Sequence, residues 1–163
     1  MDKYCGICGQ KLELKFLELE GMIPFCECCN DYRFPKFNCV VSMIILSPDE
    51  TKMLYVKQYG TGKNRLVAGY VNIGEALEHA VYREMGEEIG RIPSFVKFNM
   101  SSYWKKSNSL IVNFITKLTT ENLNTNEEID EFEWVSIEDA KEKIKEAELA
   151  KIFVNNYLDN IKK

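Results

Sequence analysis

From residue 37 onward, apolar and polar positions alternate in runs of strand length and then pass into a helical period. Residues 37–46 and 52–58 read as β-strands, with Ser47, Pro48, Asp49 and Glu50 as the turn between them. Residues 65–71 form a third strand. Over 75–89 the spacing becomes that of an amphipathic helix, because Ala76, Leu77, Ala80, Val81, Met85 and Ile89 line one side of it. Gly74 and Gly90 suit its two ends. Residues 95–104 and 110–118 read as paired strands, followed by a polar loop over 119–127. A short strand is expected at 131–135, then two helices at 136–147 and 149–161. This order implies an α/β sandwich, a sheet with helices on both faces.

Residues 1–35 follow another pattern. They hold five of the six cysteines, in two clusters flanking a stretch, Lys11 to Glu20, that alternates closely enough to read as a half-buried strand. Pro35 punctuates the join, so the expected organisation is a small unit at 1–35 and a larger one at 36–163.

Composition narrows the class without naming a chemistry. The chain has 163 residues, 45% hydrophobic and 28% charged, which fits one globular domain with a small appendage. Its longest strongly apolar run, residues 39–46, is too short to span a bilayer. The first residues lack the basic-then-apolar layout of a signal peptide, so a cytoplasmic location with reduced thiols is expected. A net charge of −4 disfavours non-specific nucleic-acid binding. Glutamates crowd residues 75–88 and 127–139.

Cys5 and Cys8 form one Cys-x-x-Cys knuckle, and Cys26 and Cys29 form a second, seventeen residues on. That spacing favours one structural Zn²⁺ held by four thiolates over reduced buried cysteines or redox-active knuckles. Zinc would fold a segment too short to build its own core. Cys28 is a competing ligand, and Cys39 is expected in the core of the next strand.

On the helix at 75–89, Glu84, Glu87 and Glu88 fall at i, i+3 and i+4, so their carboxylates share a face, read as lying opposite the apolar stripe. Such a face can hold a hard cation together with substrate phosphates, although a solvated acidic face accounts for the charge equally well. The full spacing decides. Gly69, Glu75, Arg83, Glu84, Glu87, Glu88 and Gly90 resemble the Nudix signature at all seven fixed positions, with Met85 in the first apolar slot and Arg91 in place of an apolar residue in the last. Chance agreement at seven positions is on the order of 10⁻⁸ per starting point.

The resemblance implies a Nudix α/β/α sandwich, preceded here by a zinc ribbon, and metal-dependent hydrolysis of a nucleoside diphosphate derivative. Its catalytic set would be Glu88, Glu87, Glu84 and Arg83. Two or three Mg²⁺ or Mn²⁺ ions would sit on Glu84, Glu87 and Glu88, assisted by Glu75. Glu88 is the favoured base, and Arg83 holds the loop and a glutamate rather than substrate. The later run Glu127 to Trp134 resembles the segment that supplies a further ligand or base, with Glu128 the first choice and Glu131 the second. Taken alone, that acidic run reads as a solvated turn. His79, the single histidine, reads as a surface residue.

A zinc ribbon running into a Nudix box resembles the NADH pyrophosphatase branch. There, aromatic residues at the positions of Phe34 and Tyr70 stack on the nicotinamide; both positions also suit ordinary packing. The branch carries Ser-Gln-Pro-Trp-Pro-Phe-Pro-x-Ser after the box. Here Ser101, Trp104 and Ser109 match, while the three prolines and the phenylalanine are absent. Trp104 is a candidate substrate contact, and Lys105 and Lys106 face either phosphates or solvent. An NADH- or NAD-like dinucleotide is favoured, with ADP-ribose, other nucleotides or an NAD-capped RNA end as alternatives, and a homodimer is implied. The rivals from other classes are a nucleotide-sensing Nudix module and a purely structural zinc-ribbon protein.

Overall fold

The computed structural model describes residues 3–161. The chain divides into two compact units between Phe37 and Asn38, two residues beyond the join expected from Pro35.

The first unit is a three-stranded antiparallel sheet of β1 (Glu13–Leu17), β2 (Gly21–Cys26) and β3 (Asp31–Tyr32), in that order. The alternating stretch at 11–20 holds the one strand expected of it, β1, and forms the first arm of a hairpin whose second arm, β2, begins at Gly21. The alternation slips where Phe16 and Leu17 adjoin, and the chain reverses through Leu19 at φ 71° and Gly21 at φ 81°. The half-buried side chains of β1 are Lys15 and Leu17, and Lys15 stacks its ammonium 3.9 Å from the Phe25 ring centroid. Leu14 and Phe16 face outward.

The second unit is an α/β/α sandwich. Its sheet runs β7 (Phe95–Trp104), β8 (Ser109–Lys117), β4 (Asn38–Leu46), β5 (Lys52–Gln58), β9 (Ile129–Ser136). The β4–β8 pair is parallel, while β5–β9 and β7–β8 are antiparallel. β5 touches β4 only at Leu46–Met53, and farther along β4 its partner is the short β6 (Val67–Tyr70). The sheet therefore splits beside the segment that carries the acidic helix.

Helix α1 (Leu77–Ile89) packs on one face, burying Val81, Met85 and Ile89 against Val41, Leu54, Val56 and Phe114. On the other face, α3 (Glu148–Asn160) buries Phe153, Val154 and Leu158 against Ile44, Tyr55 and Ile111. Each large aliphatic or aromatic side chain removed from water contributes about 1.5–3 kcal/mol, so these two layers hold the fold.

Two expected helices are shorter. The helix at 136–147 reduces to one turn, α2 (Ala140–Lys143), because β9 continues through Ser136, pairing with Lys52. Ala140 and Ile144 are buried in the core, with Ile137 and Ala147 packed at its margin. The acidic helix begins at Leu77 rather than residue 75, since Glu75 is engaged elsewhere. Among the described residues, no helix is long and apolar enough to cross a membrane.

Candidate functional site

The loop, helix and loop at residues 69–90 are built around two glycines. At Gly69, a Cβ would lie 1.9 Å from Glu84 Cδ, so the Glu84 carboxylate rests directly on bare backbone. At Gly90 the chain turns with φ 62°, and its N–H bonds to Met85 O. A Cβ there would lie 2.7 Å from Asn124 O. The helix's last carbonyls need donors. Asn124 N–H reaches Ile89 O at 3.0 Å, and Asn126 N–H reaches Glu88 O at 3.0 Å. That capping draws the loop before β9, and with it Glu128, to the end of α1.

The carboxylates do not all lie opposite the apolar stripe, as the helical spacing suggested. Glu84 and Glu88 are buried, at 9% and 4% exposure, beside Ala80, Val81, Met85 and Ile89. Positions 80, 84 and 88 form a row adjoining the 81, 85 and 89 row, so both glutamates are drawn to the rim of the core. Glu87 alone is exposed.

Arg83 binds two of these carboxylates and that of Glu75. Its Nε and Nη2 clamp Glu75 at 2.8 Å each, Nη1 reaches Glu84 at 2.6 Å and Glu87 at 3.2 Å, and Nη2 also donates to Tyr70 O. The guanidinium, with Asn72 N–H, holds Glu75 down at about 2. Burial pushes Glu84 up despite Arg83. Burial, then the charges of Glu84 and Glu128, push Glu88 up to about 8, and the Gln58 amide opposes them.

Two participants carried no recognisable signal in the sequence. Gln58 Nε2 donates to Glu88 Oε2 at 2.7 Å, and Tyr59 OH donates to Glu128 Oε2 at 2.9 Å. Both stand at the end of β5, where sequence periodicity shows only a strand terminus. Glu131, the second choice in the late acidic run, is exposed and pairs with Lys57 at 2.5 Å. Glu128 is the member of that run whose charge reaches Glu88.

In the first unit, the sulfurs of Cys5, Cys8, Cys26 and Cys29 lie within 4.8 Å of one another, the one such gathering of potential ligand atoms among the described residues. The Cys5–Cys29 and Cys8–Cys26 separations are 3.9 and 3.4 Å. A tetrahedron with Zn–S bonds of about 2.3 Å has edges of about 3.8 Å, so the thiols fit that ion. Backbone N–H groups of Cys8 and Ile7, with Arg33, hold Cys5 down at about 5, whereas the neighbouring thiols, Cys8 foremost, push Cys29 up to about 12. Cys28 stays exposed and outside the quartet. Cys39 packs at the margin of the core in the other unit.

The remaining candidates are more scattered. Tyr70 is 59% exposed beside the box, and Phe34, in the first unit, is 51% exposed. Trp104 ends β7, with Lys106 Nζ 4.9 Å from its ring centroid, and it borders a cavity of about 570 Å³ that Gln58, Tyr59, Arg65 and Phe153 also line. Lys105 and His79 are exposed.

Comparison with known proteins agrees with this geometry. The NUDIX domain family model matches residues 37–155. An NAD-capped RNA hydrolase NudC of Pseudomonas aeruginosa is 24% identical over 138 residues, covering 84% of this chain and 49% of that protein. Nudix hydrolase 19, chloroplastic, of Arabidopsis thaliana is 29% identical over 161 residues, covering 93% of this chain and 36% of its own length. The chain thus spans about half or less of these relatives. A NUDIX hydrolase structure from Nitrosomonas europaea superposes with a TM-score of 0.68 at 20% identity, over 96% of this chain and 89% of that one. The NUDIX domain of Shewanella oneidensis NrtR, complexed with ADP ribose, gives 0.62 at 15% identity, over 78% and 90%. These structural likenesses show the fold; the family model, which matches well over half of the sequence, shows that the chain belongs to the NUDIX domain family.

Proposed function

We propose that the chain is a divalent-cation-dependent hydrolase that cleaves the phosphoanhydride bond of a nucleoside diphosphate derivative. The observation that carries this is the burial of Glu84 and Glu88 side by side at the rim of the core, within a complete seven-position box. Two buried carboxylates without a cation are costly, and their raised protonation range reflects that cost. Oxygen donors from Glu84, Glu87, Glu88 and Glu128, with Glu75 behind Arg83, suit Mg²⁺ or Mn²⁺. When bound, such ions neutralise the phosphate oxygens and acidify a water.

The chain's own groups have separate tasks. Arg83 keeps Glu75 ionised and ties Glu84 and Glu87 to the loop that begins at Gly69. Glu88 is the proposed base, the role that the resemblance to the Nudix box implies for it. The cysteine quartet is proposed to hold one structural Zn²⁺, forming a zinc ribbon over 1–35 ahead of the catalytic unit. A closed four-thiolate site contributes no catalysis.

An NADH- or NAD-like dinucleotide is the favoured substrate, supported by NudC among the relatives, with exposed Tyr70 and half-buried Trp104 as proposed stacking groups and Phe34 of the first unit as a separate candidate. ADP-ribose, other nucleotides and an NAD-capped RNA end are the alternatives, because the 101–109 motif is only partly kept. A homodimer in the cytoplasm completes the proposal.

The test is a panel of NADH, NAD⁺, ADP-ribose, diadenosine polyphosphates and nucleoside triphosphates with Mg²⁺ or Mn²⁺. NMNH and AMP from NADH establish the favoured substrate. Cleavage of another compound moves the substrate and keeps the reaction. Tight binding of a nucleotide without turnover of any would leave a sensing module instead.

A further inference from the structure

The end of β5 holds two consecutive residues, Gln58 and Tyr59, whose side chains bond to two carboxylates from different parts of the chain. Gln58 is 6% exposed, on the side of the sheet where Leu54 and Val56 pack against α1. An amide in that row is costly unless it is paired, and its partner is the buried Glu88 at 2.7 Å. Aliphatic residues at both places would be the less costly way to fill the core. The retained pair fixes which Glu88 oxygen is occupied, Oε2, and leaves Oε1 for another ligand.

Tyr59 is 67% exposed and sits at φ 57°, a conformation uncommon for a residue with a side chain. Thr61 secures the turn, its Oγ1 and N–H both reaching Gln58 O, and Asp130 accepts Gly60 N–H at 2.7 Å. Asp130 is also the extra residue in β9. Opposite the single step from Lys57 to Gln58, β9 advances two residues, from Glu131 to Ile129. That bulge is why Ile129 and Trp134, five residues apart, pack on the same core. The strained turn and the bulge together bring Tyr59 OH to Glu128.

Resting on the hydrolase reading above, we propose that Gln58 and Tyr59 are positioning residues for the phosphoanhydride cleavage. Gln58 aims Glu88 and Tyr59 holds Glu128, so that one oxygen of each stays available to a divalent cation. Neither residue touches the reacting atoms; both act through the carboxylates.

The experiment uses the full chain with Gln58→Met and Tyr59→Phe, each keeping the volume and removing the donor. Three quantities are read: Mn²⁺ affinity by electron paramagnetic resonance, kcat and KM on whichever compound the wild type turns over, and the melting temperature. The expected result is a fall of about 10–100-fold in kcat or Mn²⁺ affinity for Gln58→Met, the range found for partners of metal ligands. KM stays within about twofold, and the melting temperature falls by no more than a few degrees, the cost of leaving Glu88 without its donor. Tyr59→Phe shifts the same quantities by a smaller factor, because its bond is solvent-exposed. Gln58→Glu, which replaces the donor with a like charge beside Glu88, falls at least as far as Gln58→Met. Wild-type kcat and Mn²⁺ affinity in Gln58→Met would overturn the proposal while leaving the hydrolase reading intact. If the wild type turns over nothing, that reading fails, and the Mn²⁺ affinities alone decide the positioning role.

Discussion

Replacing Gly69 with alanine tests whether the bare backbone under Glu84 is part of the site. The added Cβ would lie 1.9 Å from Glu84 Cδ and 2.0 and 2.2 Å from its two oxygens. Ordinary carbon contact is about 3.5 Å, so the carboxylate must move by roughly 1.6 Å. Gly69 is not among the glycines at positive φ, so the backbone itself accepts alanine. What yields is the end of a flexible side chain, and the stability cost should fall near the lower end of the overpacking range, about 1 kcal/mol. The functional cost is larger. The 2.6 Å bond from Arg83 to Glu84 would be broken and a proposed metal ligand displaced. A misplacement of about 1 Å at a reacting centre costs on the order of 100-fold. Gly69→Ala is therefore expected to melt within a few degrees of the wild type, yet to lose about 100-fold in metal-dependent turnover. Weaker Mn²⁺ binding should accompany that loss. Activity and Mn²⁺ affinity within threefold of the wild type would refute the reasoning, since Glu84 could then shift without consequence.

Other consequences follow from the same geometry. Glu128→Gln should cost about 10–100-fold in activity, whereas Glu131→Gln, which breaks only an exposed pair with Lys57, should change it by less than threefold; equal effects would contradict the placement of Glu128. Without added divalent cation, Glu88 titrates near 8 when folded and near 4.5 when unfolded. The folded state then holds more protons across that window, so stability should fall as pH rises from about 4.5 to 8. Melting curves of Glu88→Gln should show a flatter dependence over that range, and an unchanged slope would exclude Glu88 as its source. Elemental analysis should find one zinc per chain, and Cys26→Ser should lose it along with the order of the first unit. Among that unit's described residues the buried side chains are Cys5, Pro24, Phe25 and Cys26, too few to hold it by burial alone.

Much of this was legible in the sequence, for physical reasons that differ by element. β4 and β5 read correctly because long apolar runs between turn residues admit few alternatives. The box was legible because each glycine and charge answers a local geometric demand, as Gly69 under Glu84 and Gly90 at φ 62° show. The burial of Glu84 and Glu88 was not. Helical spacing groups side chains but does not say how far the core reaches around the helix, and here it extends to the 80, 84 and 88 row. In the first unit the strand expected within 11–20 is β1, but its partner β2 was missed because Pro24 interrupts a run that shows no alternation. Gln58 and Tyr59 were illegible for a further reason. Their partners lie 30 and 69 residues away, and only the strand pairing brings them together.

The central claim is that the buried carboxylates of α1 perform a metal-dependent cleavage. It is tested most directly by rates of phosphoanhydride hydrolysis across the nucleotide panel, for the wild type and Glu88→Gln, with and without Mg²⁺ or Mn²⁺. Turnover of at least one compound is expected to require the cation and to fall by about 100-fold or more in the variant. Equal rates in the two proteins, or turnover indifferent to the cation, would contradict it.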